Sequence, residues 1–131
     1  MATGRASLRV RYADTDAMGV AYHANYFVWF EVGRCELLRQ RGWSYREMEE
    51  AGVQLPVIAA NGEFVRPARY DDELEVRSTA TLLSPVRIAF DYEVVRQADG
   101  AVLARGRTVH AAVDRRGRPC RLPDRARTLL S

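Results

Sequence analysis

Lysine is absent from the 131 residues; all 20 basic side chains are arginine. Codon usage or a hot habitat produces that choice, so it says nothing about chemistry by itself. Cysteine is nearly absent. Cys35 and Cys120 are too few and too casually placed for a disulfide framework or a metal site. No apolar run reaches the ~18 residues of a membrane span. The opening Met-Ala-Thr-Gly-Arg-Ala-Ser has no apolar segment of the kind a signal peptide carries. These absences point to the cytoplasm and to a protein with no membrane span and no metal.

Hydrophobic residues make up 47% of the chain and charged residues 28%, the balance of an ordinary globular protein. At 14.8 kDa the expectation is one domain over residues 1–131. Charge is uneven. Residues 114–131 hold six arginines against Asp114 and Asp124, a net of +4, which leaves 3 − 4 = −1 for the other 113 residues. The domain is near neutral, with a basic C-terminal tail from about 114. Such a tail could meet phosphates, but it reads as a solvated, partly ordered end.

Periodicity organises the rest. Ser7 to Tyr12 reads as a strand with Leu8, Val10 and Tyr12 on one face. From Tyr26 to about Arg41 the pattern turns helical, apolar almost all round in its first turns, so a curved sheet is the simplest wrapping. Gly33 inside that helix costs ~1 kcal/mol relative to alanine, which close packing against another backbone would compensate. Ser44 and Glu47 form a capping box for a short second helix that stops at Gly52. Residues 73–83 alternate, Ser84-Pro85 turns the chain, and Val86 to Val94 alternate again. Ala98-Asp99-Gly100 marks a hairpin leading into a strand over 101–113. Within 53–68, Asn61-Gly62 reads either as a two-residue hairpin turn or as a bulge in one long bent strand. Pro123 opens a short helix. Strand, buried helix, then about four antiparallel strands is an α+β layout with the helices on one side of a sheet.

The segment from Tyr12 to Tyr26 sets two carboxylates, a histidine and a glycine between a strand and the start of the most apolar helix. Carboxylates beside a helix N-terminus can simply cap free N–H groups. The same arrangement suits acyl transfer. Unpaired N–H groups at the helix start stabilise the charge that develops on an attacked carbonyl oxygen. An ionised carboxylate beside them attacks that carbonyl or activates a water. A thioester fits, because its thiolate leaves without a strong acid.

Tyr-x-Asp-Thr-Asp-x-x-Gly-x-x-Tyr-His-x-Asn-Tyr, running into an apolar helix, resembles the signature of hotdog-fold acyl-CoA thioesterases of the 4-hydroxybenzoyl-CoA thioesterase type. The similarity continues through Phe64-Val65-Arg66-Pro67-Ala68-Arg69-Tyr70-Asp71-Asp72 and the Asp99-Gly100 hairpin, covering about residues 7–120. It implies a hotdog fold, a curved antiparallel sheet wrapped around one long central helix. It also implies a homodimer or a dimer of dimers (a homotetramer), with acyl-CoA sites at the dimer interface and no cofactor.

Carried over by residue, Asp16 is the catalytic carboxylate. The backbone N–H of His23 polarises the thioester carbonyl while its side chain assists, and Tyr12 lines the same site. Asp14 matches the pattern as a loop-holding residue. Asn25 organises the helix entry or touches substrate. Ser84 and Arg87 are the expected contacts to coenzyme A, Arg87 through its phosphates. Met18, Val20, Phe27 and Phe64 line the acyl pocket or belong to the core. His110 reads as structural and Cys35 as a small core residue.

Four other readings stand beside the acyl-CoA hydrolase. A hotdog hydratase resembles its relatives in a closer Asp–His pair with a proline between; here six residues separate Asp16 from His23 and none is proline. A non-catalytic acyl-CoA-binding module, or a hydrolase of acyl-carrier-protein thioesters, uses the same loop. A nucleic-acid partner is disfavoured, because the domain without its tail is slightly acidic and lacks interleaved aromatic and basic residues.

Overall fold

The computed structural model describes residues 1–131. Five strands and one long helix account for about half of the chain. β1 spans Ala2–Arg9, α1 Ala24–Gln40, α2 Tyr45–Glu50, β2 Val57–Phe64, β3 Glu73–Ser84, β4 Arg87–Arg96, β5 Val102–Ala111 and α3 Asp124–Leu130. The strands form one antiparallel sheet in the order β1-β3-β4-β5-β2. Alternation in β3 and β4 sends Leu74, Val76, Ala80, Ile88, Phe90 and Val94 to the concave face, where they pack under α1. This is the expected hotdog arrangement.

Gly33 shows how closely helix and sheet approach. A Cβ there would stand 2.6 Å from both Ser78 Oγ and Val76 Cγ1, so its partners are side chains of β3 rather than another backbone. Leu37, Leu38 and Phe30 continue the buried stripe. The wrapping is nonetheless one-sided: Val28 is 55% and Val32 40% exposed on the opposite face of α1.

Several local expectations shift. The first strand runs earlier than Ser7–Tyr12, and the chain leaves it at Arg9 to enter a single 3-10 turn, Tyr12–Asp14. Val10 stays buried, whereas Tyr12 points to solvent. Asn61-Gly62 makes no hairpin. Both residues lie within β2, and the irregularity falls between Val57 and Ala59 instead. At α2, Ser44 Oγ accepts the Glu47 N–H at 3.2 Å, and Gly52 closes the helix at φ +82°.

The basic tail is a correction of a larger kind. It is packed, not loose: Leu122, Ala126 and Leu130 lie within the core, and the Arg125 guanidinium stacks 5.2 Å from the Trp43 ring centroid. Ala126 and Leu130 give α3 one face to bury, with Leu122 packed just before it, a pattern the charge of the segment had masked.

One buried polar chain crosses the core. His110 is fully enclosed, with Nδ1 2.9 Å from the Leu55 carbonyl and Nε2 2.9 Å from Thr108 Oγ1, which is 2.6 Å from the Tyr92 hydroxyl. A carbonyl only accepts, so Nδ1 carries the proton and Nε2 accepts. Burial lowers the His110 pKa to about 4. Its unfolded value is ~6.5, so the unfolded chain takes up the proton first as pH falls. The His110 contribution to stability is then constant above pH ~6.5 and drops by about 3 kcal/mol by pH ~4. Urea denaturation between pH 7.5 and 4.5 checks this. His110→Asn is expected to show a shallower acid loss, and an unchanged slope would remove His110 from the account.

Candidate active site

The loop between β1 and α1 is organised by Asp14. Its carboxylate is buried and accepts the Arg11 backbone N–H at 2.8 Å and the Arg11 guanidinium at 2.9 Å. Burial would raise this carboxyl, but the Arg11 hydrogen bonds and charge outweigh it and hold the pKa below the ordinary value. The Asp14 carbonyl accepts the Tyr22 N–H and the Asn25 side-chain amide, each at 2.8 Å. One residue thereby ties the start of the loop to the start of α1.

Asp16 follows in a tight turn. Its N–H donates to the Val20 carbonyl at 2.9 Å, and its own carbonyl accepts from Gly19, which sits at φ +79° as this turn demands. Asp16 Oδ1 accepts the Met18 N–H at 2.9 Å, which fixes the carboxylate and leaves the second oxygen without a protein donor. Asp16 and His23 line one cavity of about 280 Å³, walled by Met18, Val20, Tyr26, Phe64 and Val65. The backbone N–H groups of His23 and Ala24, at the start of α1, donate to no protein acceptor. A carboxylate and an unpaired helix terminus therefore share a mostly apolar pocket, the arrangement that acyl transfer requires.

Phe64 reaches this pocket from the end of β2, with its ring centroid 5.0 Å from that of Tyr26 and 6.0 Å from that of His23. The following segment is pinned across the loop. The Ala21 N–H donates to the Ala68 carbonyl at 2.8 Å, and the Ala68 N–H to the Tyr26 hydroxyl at 3.2 Å.

Comparison with known proteins settles the family. The model of the thioesterase-like superfamily matches residues 10–130. The chain belongs to this superfamily. Among curated relatives, the acyl-CoA thioester hydrolase YbgC of Escherichia coli is 34% identical over 107 residues, 82% of this chain and 79% of YbgC. The 1,4-dihydroxy-2-naphthoyl-CoA hydrolase of Synechocystis is 30% identical over 106 residues, 80% of this chain and 77% of the relative. A crystal structure of the 1,4-dihydroxy-2-naphthoyl-CoA thioesterase from Synechocystis superposes with a TM-score of 0.91 at 28% identity, covering 98% of this chain and 95% of that one. A Thermus thermophilus structure aligns with a TM-score of 0.89 at 35% identity, covering 99% and 97%. The protein is a hotdog-fold thioester hydrolase.

The remaining expected site residues of this thioesterase are scattered. Tyr12 is 78% exposed, lies outside the cavity, and packs edge-on against Tyr70 at 5.9 Å between centroids. Asn25 spends its amide on Asp14, as a residue organising the helix entry. Ser84 Oγ accepts the Val86 N–H at 3.2 Å in the β3–β4 turn, and Arg87 is exposed beyond it.

That turn is far from Asp16 in the same protomer. Arg87 stands opposite Ala111 of β5, whereas Phe64 stands opposite Ala104. Seven residues at ~3.3 Å each separate the two rows by ~23 Å. Tyr26, Val65 and Arg66 line the cavity without having been picked out as site residues. Arg66 lay inside the Phe64–Asp72 resemblance, but only the docking of that segment on α1 brings it to the site. No helix is long and apolar enough to cross a membrane, and no group of three or more His, Cys, Asp or Glu side chains could hold a metal ion.

Proposed function

We propose that this thioesterase hydrolyses an acyl-CoA to a carboxylic acid and free coenzyme A, as a homodimer whose two sites lie at the subunit interface. The observation that carries the reading is the cavity shared by Asp16 and His23, whose backbone N–H at the start of α1 is unpaired. The thioester oxygen accepts from that N–H, which stabilises the negative charge as the carbonyl becomes tetrahedral. The Asp16 carboxylate either attacks the carbonyl carbon, forming an anhydride that water then opens, or takes a proton from the water that attacks. In both routes the C–S bond breaks and the thiolate leaves. Thiol release from a panel of acyl-CoAs tests the activity. A single turnover in ¹⁸O-water separates the routes, since only the anhydride route places unlabelled Asp16 oxygen in the first product.

The edge of the sheet supports the dimer. β2 is unpaired on its outer side and carries Ile58 at 48% and Phe64 at 46% exposure. An apolar open edge is a template for another strand. Two copies of β2 meeting antiparallel about a two-fold axis set the Val57 end of one beside the Phe64 end of the other. The β3–β4 turn lies at the Val57 end, since Ile88 and Val57 both stand opposite His110. The partner's Arg87 then lies about three strand spacings, ~15 Å, from the Phe64 end. Arg66 in the cavity and the partner's Arg87 are the cations offered to the phosphates of coenzyme A.

Asn61→Asp tests this arrangement, because a charge near the two-fold meets its own copy. The wild type is expected to be a dimer or larger by light scattering, and the variant a folded monomer with at least about tenfold less hydrolysis. A wild-type monomer with full activity would exclude a shared site.

A further inference from the structure

A second cavity, of about 390 Å³, lies between α1, α2 and the segment leading into β2. Arg34 of α1 and Tyr45 of α2 line it, and Val53, Leu55 and Pro56 form an apolar wall. Their buried polar atoms are short of partners: Arg34 Nε and the Tyr45 hydroxyl make no hydrogen bond of good geometry, although the Arg34 side chain lies beside the Tyr45 and Tyr92 hydroxyls. Nearby acids are committed elsewhere, Glu36 to Arg39 at 2.6 Å and Glu50 to Arg46 at 3.4 Å. Glu31 and Glu49 also border the cavity, but they are exposed and water screens them.

We infer that this cavity is a binding site for a small apolar monocarboxylate, with its carboxylate against Arg34 and Tyr45 and its hydrocarbon body against Val53, Leu55 and Pro56. The missing group must be an acceptor, because a guanidinium only donates. Burial pushes the Tyr45 phenol upward, so its proton also remains available to donate. An anion restores a charge-assisted pair in a place where an unmade hydrogen bond is costly. One charged group with an apolar body fits better than a polyanion, because the wall of Val53, Leu55 and Pro56 offers a second negative charge no donor.

The wall is built rigidly. Leu55 is held through its carbonyl by His110 at 2.9 Å, and its side chain is buried in the core. Carboxylates of this class are what the proposed hydrolysis releases, but binding here requires no turnover and stands apart from that reading.

Titration of the whole chain with sodium benzoate and sodium hexanoate, by calorimetry and amide NMR, tests the site. Saturable binding is expected to shift the amides of Cys35, Val53 and Gln54, and inorganic phosphate is expected to leave them in place. Arg34→Gln is expected to weaken benzoate at least about tenfold. Tyr45→Phe, which removes one hydroxyl and keeps the ring, is expected to weaken it severalfold, and it serves if Arg34→Gln does not fold. Asp16→Asn is expected to retain this binding while losing thiol release, which separates the site from the catalytic reading. Shifts confined to His23 and Phe64, affinity unchanged in the variants, or no binding at tens of millimolar would each overturn the proposal.

Discussion

Asp16→Asn is expected to lower thiol release from acyl-CoA by about 10²–10⁴-fold with the fold unchanged. Asparagine has nearly the same shape, and its side-chain oxygen can still accept the Met18 N–H that Asp16 Oδ1 accepts at 2.9 Å. The turn through Gly19 therefore survives, while the negative charge that attacks or takes a proton is gone. His23→Ala makes the comparison sharper. It removes the ring but keeps the backbone N–H at the start of α1, so its loss is expected to be much smaller. Steady-state kinetics on all three proteins, with circular dichroism to confirm folding, reads both effects. An Asp16→Asn enzyme at wild-type rate would move catalysis away from this carboxylate.

Phe30→Ala is expected to be the most damaging single truncation of the core, at about 3–5 kcal/mol. The ring is completely buried, stacks on Tyr92 with centroids 4.4 Å apart and planes 7° from parallel, and meets Phe27 edge-on at 5.6 Å. It also lies over Gly106 of β5, where any Cβ would collide with it. A glycine in mid-strand and a phenylalanine on the helix are thus two halves of one contact, and no other residue is placed to fill the space. Domains of this size have ~5–15 kcal/mol in total, so the variant would stand near the edge of unfolding. Urea titration should show a lower midpoint with an unchanged slope; a loss below ~1 kcal/mol would mean that the core repacks around the gap.

How much of this was legible beforehand differs from segment to segment. The Tyr12–Tyr26 loop declared itself, because its chemistry is local. Asp16, Gly19 and His23 are close in sequence and are placed by bonds within the same loop, such as Tyr22 N–H to the Asp14 carbonyl at 2.8 Å. The two long strands β3 and β4 were equally plain, since burial on one face writes a period of two into the sequence. β2 was not. Its residues are exposed in the protomer, so no period of burial disciplines them, and Asn61-Gly62 imitates a turn inside a continuous strand. The tail misled for a related reason. Six arginines outweighed the spacing of Leu122, Ala126 and Leu130, although long arginine side chains leave room for a buried stripe beneath them.

By itself the sequence determined the class of fold, the long helix and the loop that carries Asp16 to its start, since each depends on neighbours a few residues apart. Only the tertiary structure decided the rest. The Ala68 N–H meets the Tyr26 hydroxyl across 42 residues, and that contact, not any local pattern, brings Arg66 to Asp16. Strand register likewise put Ser84 and Arg87 at the far end of the sheet from Asp16. Periodicity reports whether a side chain is covered, and it is silent about what covers it. Distances between elements come from packing and hydrogen-bond register, which no single segment encodes.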